Sequence, residues 1–273
     1  VLAILATVLI VLPLYAFQVG TGLTAPLTDA AIVDRIPVRY RDPDGHWLGL
    51  TLRARVVYAS KERVAADAIT YEELAEPKWK GKICSRSGQH TYNVSLVAAM
   101  IAHLGPDGAE TWLRGVKENL ARKPAGGDRD QVKAVFTGEC DLAIGNTYYM
   151  AAMLANDRQP EQKQWAASVK ILFPTVAGAG THVNISGAAL IRTAPHRDAA
   201  LKLIAYLASD RAQTLYASAN GEYPIVAGLP ASDLVAGFGV LKPDGLALET
   251  IGKLRRAASE LVDKVGFDSG PGT

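Results

Sequence analysis

The sequence predicts an α/β protein, and three observations carry that expectation. From Thr51 onward short apolar runs alternate with helical patterns. The composition, 49% apolar and 21% charged, is that of an ordinary globular chain. The length of 273 residues permits one large domain or two lobes, each able to bury a core. Repeated strand–helix units argue for stacked layers with a mostly parallel sheet. The same composition excludes a disordered, collagenous or disulfide-scaffold chain. Lys+Arg number 29 and Asp+Glu 27, so the formal net charge is +2 and the pI is near 8.5. That balance gives no electrostatic case for a nucleic-acid partner.

At the front of the chain, residues 1–17 carry no charge. They read as the apolar core of a secretory signal that lacks its positive lead. They also read as a membrane span or anchor, which needs about 20 apolar residues and which Pro13 interrupts. The third reading is a buried strand and helix of a core. A start at Val1 in place of Met reads as a processed, trimmed or fragmentary chain. Gly20-Thr21-Gly22 and Pro26 then punctuate the chain. Residues 55–58 read as a strand. Thr70 and Glu73 stand at capping-box spacing and open a short helix. Pro77 to Lys82 turns the chain into a strand at Ile83. Residues 94–104 form a mostly apolar helix ended by Gly105-Pro106, and residues 107–121 an amphipathic one. Asp128 or Asp130 caps a helix through Phe136. Residues 142–144 are a strand, and Asn146-Thr147-Tyr148-Tyr149 opens a helix to about Asn156. Next come a strand at 169–173, a glycine-containing loop at 177–180 and a kinked strand at 184–192. Helices at 196–208, 210–219 and about 246–265 complete the chain.

Cys84 and Cys140 are the two cysteines. No CxxC or HExxH pattern exists, and the five histidines are scattered, so zinc and thioredoxin readings fail. Each cysteine sits beside an expected strand. The pair is read either as two buried thiols or as a disulfide, and neighbouring strands favour the disulfide. Closing that loop would stabilise by about 4 kcal/mol in the chain-entropy model, and the bridge implies an oxidising compartment.

Three constellations offer chemistry. Tyr148 and Tyr149 come after a strand end at a helix start, where ligands of open α/β sheets sit and where anions, phenolates included, are favoured. Two adjacent phenols with pKa about 10 ionise together only against a strong Lewis acid. A hard trivalent cation such as Fe³⁺ suits such oxygen donors. The polar loop Ser85 to Asn93 could present backbone N–H groups to an anion. One of Arg53 and Arg55 could pair with a small anion or a carboxylate, although a surface charge is the usual outcome for such residues. Nucleophile-elbow, P-loop, dinucleotide and catalytic-cysteine motifs are absent from the sequence, so no enzyme class is indicated.

These residues, in their order, resemble the bacterial periplasmic ferric-ion-binding proteins, substrate-binding components of iron ABC transporters. The stretches that carry the resemblance run from about Arg39 to the C-terminus. They include Arg41-Asp42-Pro43-Asp44-Gly45-His46-Trp47, Arg53-Ala54-Arg55-Val56, Pro77-Lys78-Trp79-Lys80-Gly81, Tyr92-Asn93-Val94, Gly138-Glu139-Cys140-Asp141, Asn146-Thr147-Tyr148-Tyr149, His182 to Ala188 and Glu222-Tyr223-Pro224. The resemblance implies a type II periplasmic binding-protein fold, two α/β lobes with a cleft between them, the first lobe incomplete at its start. Residues 1–53 and 184–232 would build the first lobe. Residues 54–183 and 233–273 would build the second, with hinges near Arg53 and Val183. Tyr92, Tyr148 and Tyr149 match the iron ligands of the subgroup that binds Fe(III) through several tyrosines. Arg53, Ser87, Gly88 and Asn146 match the region that holds a companion anion, carbonate or bicarbonate, and Asp128 is a further candidate there. The implied partner is an ABC permease in the inner membrane, and the implied form is a periplasmic monomer. The alternatives are a protein of the same fold for an organic ligand or an anion, a cleft enzyme reusing the fold, and a truncated form with impaired binding.

Overall fold

The computed structural model describes residues 22–272 together with the strand Ile10–Val11. The readings offered for residues 1–17 otherwise lie outside the described residues. In chain order the elements are β1 (Ile10–Val11), β2 (Thr24–Ala25), α1 (Ala30–Val33), β3 (Leu48–Ser60), β4 (Ile83–Cys84), α2 (Thr91–Glu118), α3 (Asp128–Thr137), β5 (Leu142–Asn146), α4 (Thr147–Leu154), α5 (Glu161–Ala167) and β6 (Val169–Leu172). They continue with β7 (Val183–Ala188), β8 (Leu190–Ile191), α6 (Arg197–Leu207), α7 (Asp210–Asn220), β9 (Tyr223–Pro224), α8 (Asp233–Ala236) and α9 (Leu248–Val265). The class is α/β, as expected. Among the described residues no helix is long and apolar enough to cross a membrane.

The chain forms two compact units. The first takes the chain as far as Arg53, then Asn184–Ala236 and Ala247–Lys253. The second takes Ala54–Val183, Gly237–Leu246 and the chain from Leu254 onward. In the first unit β9 pairs antiparallel with the start of β3 (Thr51↔Pro224), β1 with β7 (Ile10↔Gly187), and β2 with β8 (Thr24↔Ile191). Gln213 ties α7 to this sheet, its Nε2 donating to the Leu50 carbonyl at 2.7 Å.

In the second unit β3 lies between β5 (Val57↔Ile144) and β6 (Val57↔Leu172), antiparallel to both. Of these strand pairs only β4 against β5 is parallel. The expected mostly parallel sheet is therefore corrected. The apolar runs mark strands but carry no information on their direction, and the long β3 runs against its neighbours. All 13 residues of β3 are buried, so it is far longer than the four-residue strand the apolar run suggests. Fully covered strands need not alternate, and here Thr51, Arg53 and Arg55 are buried among apolar neighbours.

Local signals in the second unit hold. Thr70 and Glu73 form a reciprocal capping box: Glu73 N donates to Thr70 Oγ1 at 3.1 Å, and Thr70 N to Glu73 Oε2 at 2.7 Å. Gly105 breaks helical geometry inside α2 at φ 73°, just before Pro106. Tyr58 lies flat over Gly145 of β5. A Cβ there would sit 2.0 Å from the Tyr58 ring, and the Tyr58 hydroxyl donates to the Asn146 carbonyl at 2.5 Å. Only glycine admits this ring, which fixes the strand end that leads into α4.

Cys84 of β4 and Cys140 before β5 are joined as a disulfide, with Cα atoms 5.9 Å apart. The bridge closes a separation of 56 residues. Reducing it should lower unfolding free energy by about 4 kcal/mol; guanidinium denaturation with and without reductant measures the difference.

Candidate metal site

The tyrosines singled out in the sequence meet in the second unit. Tyr92 stands in the first turn of α2, and Tyr148 and Tyr149 in the first turn of α4. The start of α2 is fixed by His90, whose Nδ1 accepts from Tyr92 N at 3.3 Å. α4 begins directly after β5, so the sheet end sets its position. The hydroxyls of Tyr92 and Tyr148 are 3.0 Å apart, and the rings of Tyr148 and Tyr149 pack with centroids 4.3 Å apart, tilted by 31°. All three side chains are half-buried. Burial first, then hydrogen bonds with Tyr149 and Tyr92 and their charges, pushes the Tyr148 phenol far above the ordinary phenol range. Among the described residues no group of three or more His, Cys, Asp or Glu side chains is gathered to hold a metal. Phenol oxygens are donors of the kind that suit a hard cation.

Beneath the tyrosines lies a buried polar network. Arg55 Nη1 donates to Asp128 Oδ2 at 2.7 Å and to Asn146 Oδ1 at 3.0 Å, and its Nη2 donates to Asn93 Oδ1 at 2.7 Å. Arg86 Nη1 reaches the other Asp128 oxygen at 3.0 Å. Asn146 N also donates to Asp128, at 2.8 Å. Asn93 and Asn146 thereby tie the first turns that carry Tyr92 and Tyr148 to one arginine. Two guanidiniums share one carboxylate, which leaves a surplus positive charge. The Nε–H groups of Arg55 and Arg86 are buried without an acceptor among the described residues. Arg86 lies 5.4 Å from the Tyr92 ring centroid, Arg55 5.8 Å from the same ring, and Arg129 5.2 Å from that of Tyr149.

The anion candidates are distributed differently. Arg53 belongs to the first unit, where it faces Glu222 at 3.7 Å and donates to Ser186 Oγ at 3.2 Å and to the Ile185 carbonyl at 3.1 Å. Ser87 and Gly88, expected at a companion anion, hold a carboxylate of the chain itself. Ser87 Oγ and Gly88 N each donate to Asp268, both at 2.6 Å. Asn146 turns its side-chain oxygen to Arg55. Asp128 caps no helix through its side chain; it is consumed by the arginines, while Asp130 accepts from Gly127 N at 2.7 Å. Sequence reasoning passed over Arg86, Asn93, Arg129 and Asp268. Arg86 and Asn93 lie inside the flagged loop, whereas Asp268 lies about 180 residues from its partners and carried no local signal.

Residues 12–236 match the model of a family described as bacterial extracellular solute-binding protein. Iron uptake protein A1 of Synechocystis sp. is 41% identical over 247 residues, which cover 90% of this chain and 68% of that protein. The Bordetella ferric binding protein superposes with a TM-score of 0.86 at 50% identity, over 92% of this chain and 79% of that one. A Trichodesmium protein solved in complex with iron and citrate ligands superposes with a TM-score of 0.89 at 38% identity, over 94% and 81%.

Removing one partner of the buried Arg55–Asp128 pair leaves an uncompensated charge. Asp128→Ala should cost about 3–5 kcal/mol of stability, read by urea denaturation. His182, fully buried with Nε2 3.1 Å from Ser95 Oγ, has its pKa pushed down to about 4, chiefly by burial. Its unfolded-state value is about 6.5, so the unfolded chain binds the extra proton first. Stability should therefore be unaffected by this group above pH 6.5 and fall as pH drops from there towards 4. His182→Gln should flatten that slope in denaturation curves taken across the range.

Proposed function

Because this chain belongs to the bacterial extracellular solute-binding proteins, we propose that its cargo is ferric iron, which it holds outside the cytoplasm and hands to an ABC permease in the membrane. Tyr92, Tyr148 and Tyr149 supply phenolate oxygens, and a companion anion, carbonate or bicarbonate, completes the charge balance. The observation that carries the reading is the meeting of three phenols at two helix starts, with Tyr92 and Tyr148 hydroxyls at 3.0 Å and the Tyr148 and Tyr149 rings packed against each other. The names and titles of the relatives, which speak of iron uptake, ferric binding, and iron with citrate, support the choice of metal.

Each phenol must lose its proton for the cation to bind. Burial and mutual repulsion oppose ionisation of Tyr148 in the absence of metal, and a trivalent charge converts that repulsion into attraction for every ligand at once. Weakly charged cations gain too little to displace the protons, so selectivity comes from the cost of ionising the cluster. Iron uptake releases protons, and acid favours release of the metal. The companion anion is drawn by the surplus charge of Arg55 and Arg86 over Asp128, by the unaccepted Nε–H of Arg86 and by Arg129 beside Tyr149. In this reading Arg86 takes the role the sequence suggested for Arg53.

Titrating the protein with ferric citrate should raise a visible phenolate-to-iron absorption band. Tyr148→Phe with Tyr149→Phe should abolish it, and lowering the pH should weaken binding. Absence of the band in the wild type, or its survival in the double variant, would overturn the assignment.

A further inference from the structure

We propose that Asp268 is a positioning residue for Tyr92, acting through the loop at residues 86–90; the inference rests on the ligand set proposed above. Asp268 lies in the 3₁₀ turn Phe267–Ser269 that comes after α9, and Gly266 at φ 62° makes the turn back possible. Its carboxylate takes two short hydrogen bonds from the loop, from Ser87 Oγ to Oδ2 and from Gly88 N to Oδ1, both 2.6 Å. These are charge-assisted contacts, about twice as strong as neutral ones. Gln89 is clasped by α9 next to them: its Nε2 donates to the Ser259 carbonyl at 2.9 Å and to Asp263 Oδ1 at 2.8 Å, and Ser259 Oγ donates back at 2.7 Å. Gly88 is pressed so close that a Cβ would lie 2.8 Å from both Phe267 and Val262.

The other side of the same loop belongs to the site. Asn93 Nδ2 donates to the Arg86 and Ser87 carbonyls, both at 3.0 Å, and His90 N donates to the Ser87 carbonyl at 3.1 Å. The loop is thus held between the arginine network within and the C-terminal segment without. Arg86 enters the loop and Tyr92 leaves it in the first turn of α2. Without Asp268 the outer anchor is reduced to the Gln89 clasp and the packing of Gly88; Ser87 and Gly88 lose their acceptor, and the spacing of Arg86 and Tyr92 to Tyr148 is loosened. The 87–88 groups that resemble an anion cradle are spent on rigidity.

The test uses the full chain and Fe³⁺ supplied as ferric citrate, with three readouts: the dissociation constant by citrate competition, the position of the phenolate-to-iron band, and the melting temperature. Asp268→Ala should weaken iron binding by roughly 10–100-fold, the range for residues that orient metal ligands, and should move the band. Asp268→Glu should restore part of both. Glu260→Gln, which removes one exposed carboxylate from α9, should change neither. If Asp268→Ala fails to fold, Asp268→Asn decides in its place. A folded variant with a lowered melting temperature but an unmoved band and unchanged affinity overturns the positioning role and leaves the ligand set standing. A wild-type protein without the band overturns the ligand set and this inference with it.

Discussion

The ion pair between Arg55 and Asp128 is the constraint on which the candidate site depends. Both side chains are withdrawn from water, Asp128 completely and Arg55 nearly so. Burying two charges costs several kcal/mol per ion, which their attraction offsets only with good geometry and further hydrogen bonds. Here Asp128 accepts from Arg55, Arg86 and the backbone of Asn146, and Arg55 donates further to Asn146 and Asn93. The four elements that meet at this pair are β3, the end of β5, the start of α2 and the start of α3. Two of them lead straight into the tyrosines. A site that must hold three separate phenols within ligand reach needs such a common anchor, because a displacement of one helix start carries its tyrosine with it.

The same network shapes the electrostatics. Tyr148 resists ionisation through its burial and its tyrosine neighbours, and the arginines nearby favour negative charge. In the proposed reading Tyr148 keeps its proton alone and gives it up to a cation of high charge. A site of histidines or carboxylates would instead admit divalent metals broadly. In the proposed reading the surplus guanidinium favours an anion near the metal. Asp268 belongs to this design from outside: it stiffens the loop that delivers both Arg86 and Tyr92.

Much of the fold was legible in local chemistry. The Thr70–Glu73 capping box, the break at Gly105-Pro106 and the strand-to-helix step at Asn146-Thr147 each act through near neighbours, and each stands where the pattern placed it. The length of β3 was hidden because Thr51, Arg53 and Arg55 look like surface residues until their partners, remote in sequence, are known. Strand direction was illegible for a related reason: side-chain periodicity is the same in parallel and antiparallel strands. The tyrosines were readable as a pair by adjacency, and Tyr92 only through resemblance. Arg53 and Arg55, two residues apart on one strand, are chemically alike, and only the fold sends one to Glu222 and the other to Asp128. The cradle at Ser87 and Gly88 was visible as an anion-binding loop, but its occupant lies near the far end of the chain.

Resonance Raman spectroscopy of the iron-loaded protein, excited within its visible absorption, tests tyrosine ligation most directly. The spectrum should show enhanced tyrosinate ring modes that weaken stepwise in Tyr92→Phe, Tyr148→Phe and Tyr149→Phe. A loaded protein with no tyrosinate modes, or with modes indifferent to all three substitutions, would contradict it.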